Sequence, residues 1–435
     1  MDIRYRPETG CAAQADRRHD LLTATAPPAE RWLLIESRVP WPRQALTSLQ
    51  PSPWLGDEVA RRCRSLGIRP VLIRRHGRTD QTQPRRWALV DSRPTQESIH
   101  WGDLPTDEHL LQILNNIHAQ DRMAAEQRLQ PGAASEHRAR TAAEPRMRGG
   151  SAVETPPASA GELADRPAGA GEAADPRGER VLAAEPRVGA GSAATTAAAS
   201  AGAEADRPSA AGEVVGPPAG AGEGVGERVA AGEAAGLAAG ARADAGQAGA
   251  GVGAWSGEPV YLVCRHGRHD ACCAVWGRPV AGALASVYPE RTWECSHIGG
   301  DRFAANVVVL PHSLFYGHVS PARALEVARR YDEREVVPEL LRGSGAFVPP
   351  VQAAQDFARA AGHSLAVGNL RPRSVEALSD NRWRILLAST NGPLTVEVSA
   401  HLDTVDARLT CAGSSPAQIR RFELHHLSLD PPPDP

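Results

Sequence analysis

The sequence predicts an α/β protein: two α/β lobes separated by a long Ala/Gly-rich insert, with a small α+β segment at the C-terminus. Three observations carry this expectation. Short apolar runs with strand character alternate with helically spaced stretches on both sides of the chain's middle. The middle itself, residues 130–253, is Ala, Gly, Glu, Pro and Arg with almost no aromatic or β-branched anchors. Such a segment cannot bury enough apolar area to offset its ordering entropy, so it is expected to be a disordered tether. Beyond about residue 343 the pattern changes to alternating strands. The resulting boundaries are 1–129, 130–253, 254–342 and 343–435.

In the first lobe "RWLLIES" reads as a buried strand, and "WLGDEVARRCRSLG" has helical spacing closed by Gly67. "RPVLIRR", "RRWALVDS" and "ESIHW" read as strands, and "TDEHLLQILNNIHAQ" as a closing helix with Thr106 as its N-cap. The order is β-α-β-β-β-α. Cys63 falls on the apolar face of its helix and is expected in the core.

The second lobe repeats the theme. "PVYLVC" is a strand ending at Cys264, "GRPVAGALASVY" a helix with small residues on one face, and "RTWECS" a strand. "HIGGDRFA" follows as a glycine-bearing loop, then "NVVVLP" and "LFYGHV" as strands. "SPARALEVARRYDE" closes the lobe as a helix with Ser320 as N-cap and Pro321 at its first position. This is the layout of a thioredoxin-like layer. In the last segment "VQAAQDFARAAG" is helical, while "RWRILLAST", "LTVEVSAHL" and "ARLTCAG" alternate as antiparallel strands, the last of them burying Cys411.

Bulk composition excludes more than it assigns. A formal charge of -3 over 435 residues gives no global case for nucleic acid or a membrane surface. Every one of the 48 basic residues is an arginine, a codon-bias signature that makes arginine counts uninformative. The N-terminus has no apolar core long enough for a signal peptide, and no run is long enough to span a bilayer, so a cytoplasmic location is expected. No catalytic residues are assigned. Paired carboxylates flanking a sugar cleft, P-loop, HExxH, dinucleotide-binding and nucleophile-elbow signatures are all missing.

The chemistry concentrates in "VCRHGRHDACC", which gathers three of the seven cysteines and two histidines. Clustered cysteines in a chain without an export signal favour metal or redox chemistry over disulfide staples. Cys264 and Cys273, with eight residues between them, suit iron–sulfur or zinc. The other half of a site is expected from "WECSHIGGDRFAAN", where paired glycines let backbone approach a cofactor closely. There Cys295 and His297 share a face if their strand persists that far. His266 and His269 are expected to be loop histidines hydrogen-bonded near the site, Cys272 a packed thiol, and Arg302 solvated. Trp276 and Trp293 are expected in the core, and His312 and His318 at strand edges.

Taken together, "CRHGRHDAC", "HIGGDRFAAN" and "NVVVLPHSLFYGHVSP" resemble the sucrase/ferredoxin-like family, and "CAAQADRRHDLLTATAPPAERWLLIES" is similar to the family's opening. The resemblance implies a thioredoxin-like ferredoxin domain holding a [2Fe–2S] cluster, with Cys264, Cys273 and His297 as ligands. It implies an electron carrier working with a separate reductase or acceptor; from charge and composition, no nucleic-acid or membrane partner is expected. The N-terminal half, lacking paired cysteines, is expected to be a thioredoxin-like lobe without cluster ligands. One position departs from the pattern: the family's second histidine is Asp301 here. The fourth ligand is then Asp301, Cys295 or Cys272, with Cys295 favoured because a carboxylate is a hard donor beside sulfide-bridged iron. The alternatives are thiol-redox or peroxide sensing through the vicinal Cys272 and Cys273, and a structural zinc held by the same residues as the cluster.

Overall fold

The computed structural model describes residues 6–51, 53–77, 82–129, 254–255 and 257–429. The tether expected over 130–253 lies outside the described residues.

A short helix α1 (Cys11–Arg17) precedes β1 (Arg31–Glu36), in which all six residues are buried. Then come α2 (Pro53–Ser65), β2 (Ile68–Arg74), β3 (Arg85–Asp91), β4 (Ser98–Leu104) and α3 (His109–Leu129). Gly67 ends α2 at φ +64°, the left-handed conformation that glycine adopts without a Cβ penalty. The expected cap at Thr106 is corrected. The chain turns through 3-10 bonds from His109 to Thr106 and from Leu110 to Asp107 before α3 begins. Asp107 is drawn instead to the backbone of Gln50 and to Arg85.

The second lobe runs β5 (Ala254–Trp255), β6 (Val260–Cys264), α4 (Ala271–Val287), β7 (Thr292–Cys295), β8 (Val307–Leu310), β9 (Leu314–Tyr316), α5 (Pro321–Asp332) and β10 (Leu341–Ser344). Ser320 caps α5 by accepting from the Arg323 N–H, with Pro321 at N1 as expected. Helix α4 starts six residues earlier than its sequence predicts. Asp270 caps it by accepting from the Cys272 N–H, and Pro279 is accommodated inside the helix. Cys272 and Cys273 therefore belong to a helix's first turn, not to a loop.

Both lobes have one topology. In β1–β4 and again in β6–β9 the first two strands are parallel, the third lies antiparallel beside the first, and the fourth beside the third, while β5 extends the first lobe's edge beside β4. That is the thioredoxin-like layer. The lobes join edge to edge through antiparallel β2 and β7, giving one ten-stranded sheet in the order β10-β9-β8-β6-β7-β2-β1-β3-β4-β5. Alternation along the strands divides the core. Leu33, Ile35 and Leu72 pack with α2 and α3, while Tyr261, Val263, Val307 and Val309 pack with α4 and α5. On the opposite face Trp32, Leu34, Ile73, Leu262, Cys264 and Cys295 form one core that runs through the seam. The seam is also ionic: fully buried Glu294 meets Arg74 at 2.8 Å, His76 at 2.9 Å, and Arg265.

The C-terminal segment is a helix α6 (Pro349–Ala360) on a four-stranded antiparallel meander. Its strands are β11 (Pro372–Ser379), β12 (Arg382–Leu387), β13 (Leu394–Val405) and β14 (Ala417–Leu429). β12 and β13 match the sequence-based expectation, whereas β11 and β14 were not anticipated. The strand expected at "ARLTCAG" is corrected. Those residues form the irregular connection between β13 and β14, and Cys411 sits half-buried in a turn. Among the described residues no helix is long and apolar enough to cross a membrane.

Candidate metal centre

Two strand ends and one helix start bring the thiols together. Cys264 is the last residue of β6 and pairs in register with Cys295, the last residue of β7. A Cβ at Gly277 would stand 2.2 Å from the Cys264 carbonyl oxygen, so α4 crosses directly over the end of β6. That approach places Cys273 against Cys264. Cys264 is held well below the usual thiol range by sulfur hydrogen bonds from Cys273 and Cys295, aided by His297. The donors move the other way: Cys273 is pushed up by its bond to Cys264, and Cys295 chiefly by burial. Cys264 and Cys273 are thus adjacent buried sulfurs, the donor type that suits a soft metal.

β7 stops at Cys295 because Ser296 bonds sideways to β2. Its N–H donates to the Leu72 carbonyl at 2.8 Å and its Oγ accepts from the Leu72 N–H at 3.0 Å. The strand does not persist to His297, which corrects the expected shared face. His266 fixes His297 instead. Its Nε2 donates to the Pro42 carbonyl at 2.7 Å, leaving Nδ1 to accept from the His297 N–H at 3.3 Å. Both ring nitrogens are thereby used, so His266 is a positioning residue, as its loop setting implied.

Gly299 and Gly300 turn the chain at φ +93° and +83°. What approaches them is protein. A Cβ on Gly300 would fall 2.4 Å from the guanidinium of Arg342, a fully buried side chain. Arg342 donates to Gly299 O at 3.0 Å, Asn306 Oδ1 at 2.7 Å and Thr25 O at 2.6 Å. An internal cation thus packs against the glycine turn and shapes the loop.

Beyond this turn Asp301 is buried, with Oδ1 at 3.1 Å from Cys273 Sγ and 3.0 Å from His297 Nδ1. That nitrogen is buried and has the Asp301 carboxylate as its ion-pair partner. Burial alone would lower the His297 pKa, but Asp301 and Cys264 together raise it to about 9. His269 stacks on His297 with ring centroids 3.7 Å apart and reaches Asp301 at 3.7 Å. The donor atoms of Cys264, Cys273 and His297 all lie within 4.8 Å of one another, as do those of His269, His297 and Asp301. Cys295 is in neither group and faces the shared core.

The remaining expectations divide. Cys63 and Trp293 are buried, and Trp293 stacks on Trp101. Trp276 is 41% exposed on α4, not in the core. Arg302 is not solvated but pairs with buried Asp20 at 3.3 Å. His312 meets the Tyr331 hydroxyl beside β8, and His318 packs edge-on to Phe303 beyond β9. Successive helical residues point about 100° apart, and Cys272 accordingly faces away from Cys273. Its neighbours are Cys11 and Cys411, which sequence reasoning did not connect with it. A cleft of about 1020 Å³ lined by Arg38, Arg75, Arg86 and Glu290 includes none of the metal-centre donors.

Two thiols and an imidazole, buried or half-buried, fit a group bound by soft and borderline donors, with the Asp301 carboxylate as a harder donor beside them. No curated protein and no solved structure gives a significant match. The model of the sucrase/ferredoxin-like family does match, over residues 22–343, well over half of the chain and spanning every donor described above. The chain therefore belongs to the sucrase/ferredoxin-like family.

Proposed function

We propose that the protein is an electron carrier holding a [2Fe–2S] cluster, with Cys264 and Cys273 as thiolate ligands and His297 and Asp301 as the other pair. The observation that carries this reading is the convergence of Cys264, Cys273 and His297, whose donor atoms all lie within 4.8 Å of one another, with the buried Asp301 carboxylate against two of them. Asp301 is preferred over Cys295 because its carboxylate already touches both Cys273 and His297. When bound, such a cluster takes up and releases one electron, at a potential that imidazole ligation raises relative to four thiolates. The chain's own residues do the rest. His266 fixes the backbone of His297, Arg342 holds the glycine turn, and the N-terminus of α4 favours negative charge at Cys273. A separate reductase or acceptor exchanges the electron.

Iron and labile sulfide measured on single variants test the assignment. Asp301→Ala is expected to lose most of its iron, and Cys295→Ala to retain it. Full iron in Asp301→Ala together with an empty Cys295→Ala protein would move the fourth ligand to Cys295.

A further inference from the structure

A second cluster of metal-binding side chains lies outside the centre just described. Cys11 from the first turn of α1, Asp270 and Cys272 from the start of α4, and Cys411 from the β13–β14 connection converge, with donor atoms all within 4.8 Å of one another. The three sulfurs form a triangle with edges of 3.4 Å (Cys272–Cys411), 3.6 Å (Cys11–Cys272) and 3.7 Å (Cys11–Cys411). The Asp270 oxygens stand 3.7 and 3.8 Å from the Cys11 sulfur. Four donors on one tetrahedral zinc, with Zn–S about 2.3 Å and Zn–O about 2.0–2.2 Å, are separated by about 3.8 Å between sulfurs and about 3.5 Å from sulfur to oxygen.

We propose that Cys11, Asp270, Cys272 and Cys411 form a closed, mononuclear zinc site that staples the N-terminal helix and the C-terminal meander to the start of α4. The carboxylate is already oriented, since Oδ1 accepts from the Cys272 N–H at 2.9 Å and Oδ2 from the Cys411 N–H at 2.6 Å. Each oxygen keeps a lone pair for a metal. Zinc binding releases one proton from each of the three thiols to solvent, leaving a centre of net charge −2. The α4 N-terminus, the nearby Arg302 cation and Arg408, which donates to the Cys411 carbonyl at 3.2 Å, oppose that charge. Cys11 and Cys411 lie 400 residues apart and both fall outside the 22–343 span of the family match. The site is therefore a property of this chain's ends as well as of its family domain.

The test is metal analysis of the full chain with zinc K-edge absorption spectroscopy. The wild type is expected to hold one zinc per chain in a shell of three sulfurs and one oxygen. Cys11→Ser and Cys411→Ser are expected to fall to near zero zinc with iron retained, and Cys264→Ser to keep its zinc. Because the serine variants can fail to fold, the wild-type zinc shell stands as an independent check. A wild type without zinc and with a Cys272–Cys411 disulfide on peptide mapping would overturn the proposal, as would zinc lost from Cys264→Ser. Iron content is read separately, so failure here is distinguishable from failure of the cluster assignment.

Discussion

Replacing Gly300 by alanine tests how the His297–Asp301 turn is held, and Gly362→Ala supplies the control. Both glycines have nearly the same φ, +83° and +82°, so each substitution carries a left-handed strain of about 1–2 kcal/mol. Around Gly362 nothing lies within 4 Å of the added Cβ, and the strain is the whole effect. At Gly300 the Cβ lands 2.4 Å from Arg342 Nη2. The end of a long side chain normally swings aside, but this one is fully buried and bonded at every nitrogen. Moving Nη2 breaks its bond to the Thr25 carbonyl, a charge-assisted bond of about 1.5–3 kcal/mol. Gly300→Ala is thus expected to cost about 3–5 kcal/mol and Gly362→Ala about 1–2 kcal/mol. Guanidinium denaturation midpoints of the two full-length variants measure the difference, and iron content reports whether the turn still presents His297 and Asp301. Equal destabilisation of the two, with iron undiminished in Gly300→Ala, would refute the role given to Arg342.

Two further outcomes are expected. Cys264→Ser and Cys273→Ser each lose the cluster, whereas Cys63→Ser keeps it and costs only about 1–2 kcal/mol of stability, since Cys63 is buried in the α2 core and a hydroxyl there can bond the helix carbonyl one turn back. His312 is held down to about 4 by burial, with Arg334 and Arg371 adding to the effect. The unfolded chain takes up that proton near pH 6.5 and the folded chain does not, so this stability is complete above about pH 6.5 and is lost as pH falls towards 4. The loss is about 1–3 kcal/mol at pH 4, read as a steeper acid decline in the wild type than in His312→Asn; parallel curves would contradict it.

The site's elements were legible to different degrees. Strand β6 and its terminal Cys264 were plain because "PVYLVC" is an apolar run flanked by turn residues, and the glycine turn was plain from its paired glycines. The start of α4 was obscured by "GRP", which reads as a helix entry. The real entry is Asp270, whose cap contact with Cys272 sets both vicinal cysteines on the helix and aims them apart. The second cluster was invisible in the sequence, since it depends on contacts between residues 139 to 400 positions apart and on Cys411 standing in a turn that mimics strand alternation. The partner of the glycine turn was equally hidden: Arg342 carries no sequence sign of being buried, and its burial follows from β10 closing the edge of the sheet beside β9.

Iron, labile sulfide and electron paramagnetic resonance on the anaerobically purified full chain, before and after dithionite, address the cluster most directly. The expected result is a coloured protein with two irons and two sulfides per chain, and a reduced-state signal with nitrogen hyperfine coupling from His297 that disappears in His297→Ala. A colourless protein without labile sulfide, or one whose iron survives Cys264→Ser, would contradict it.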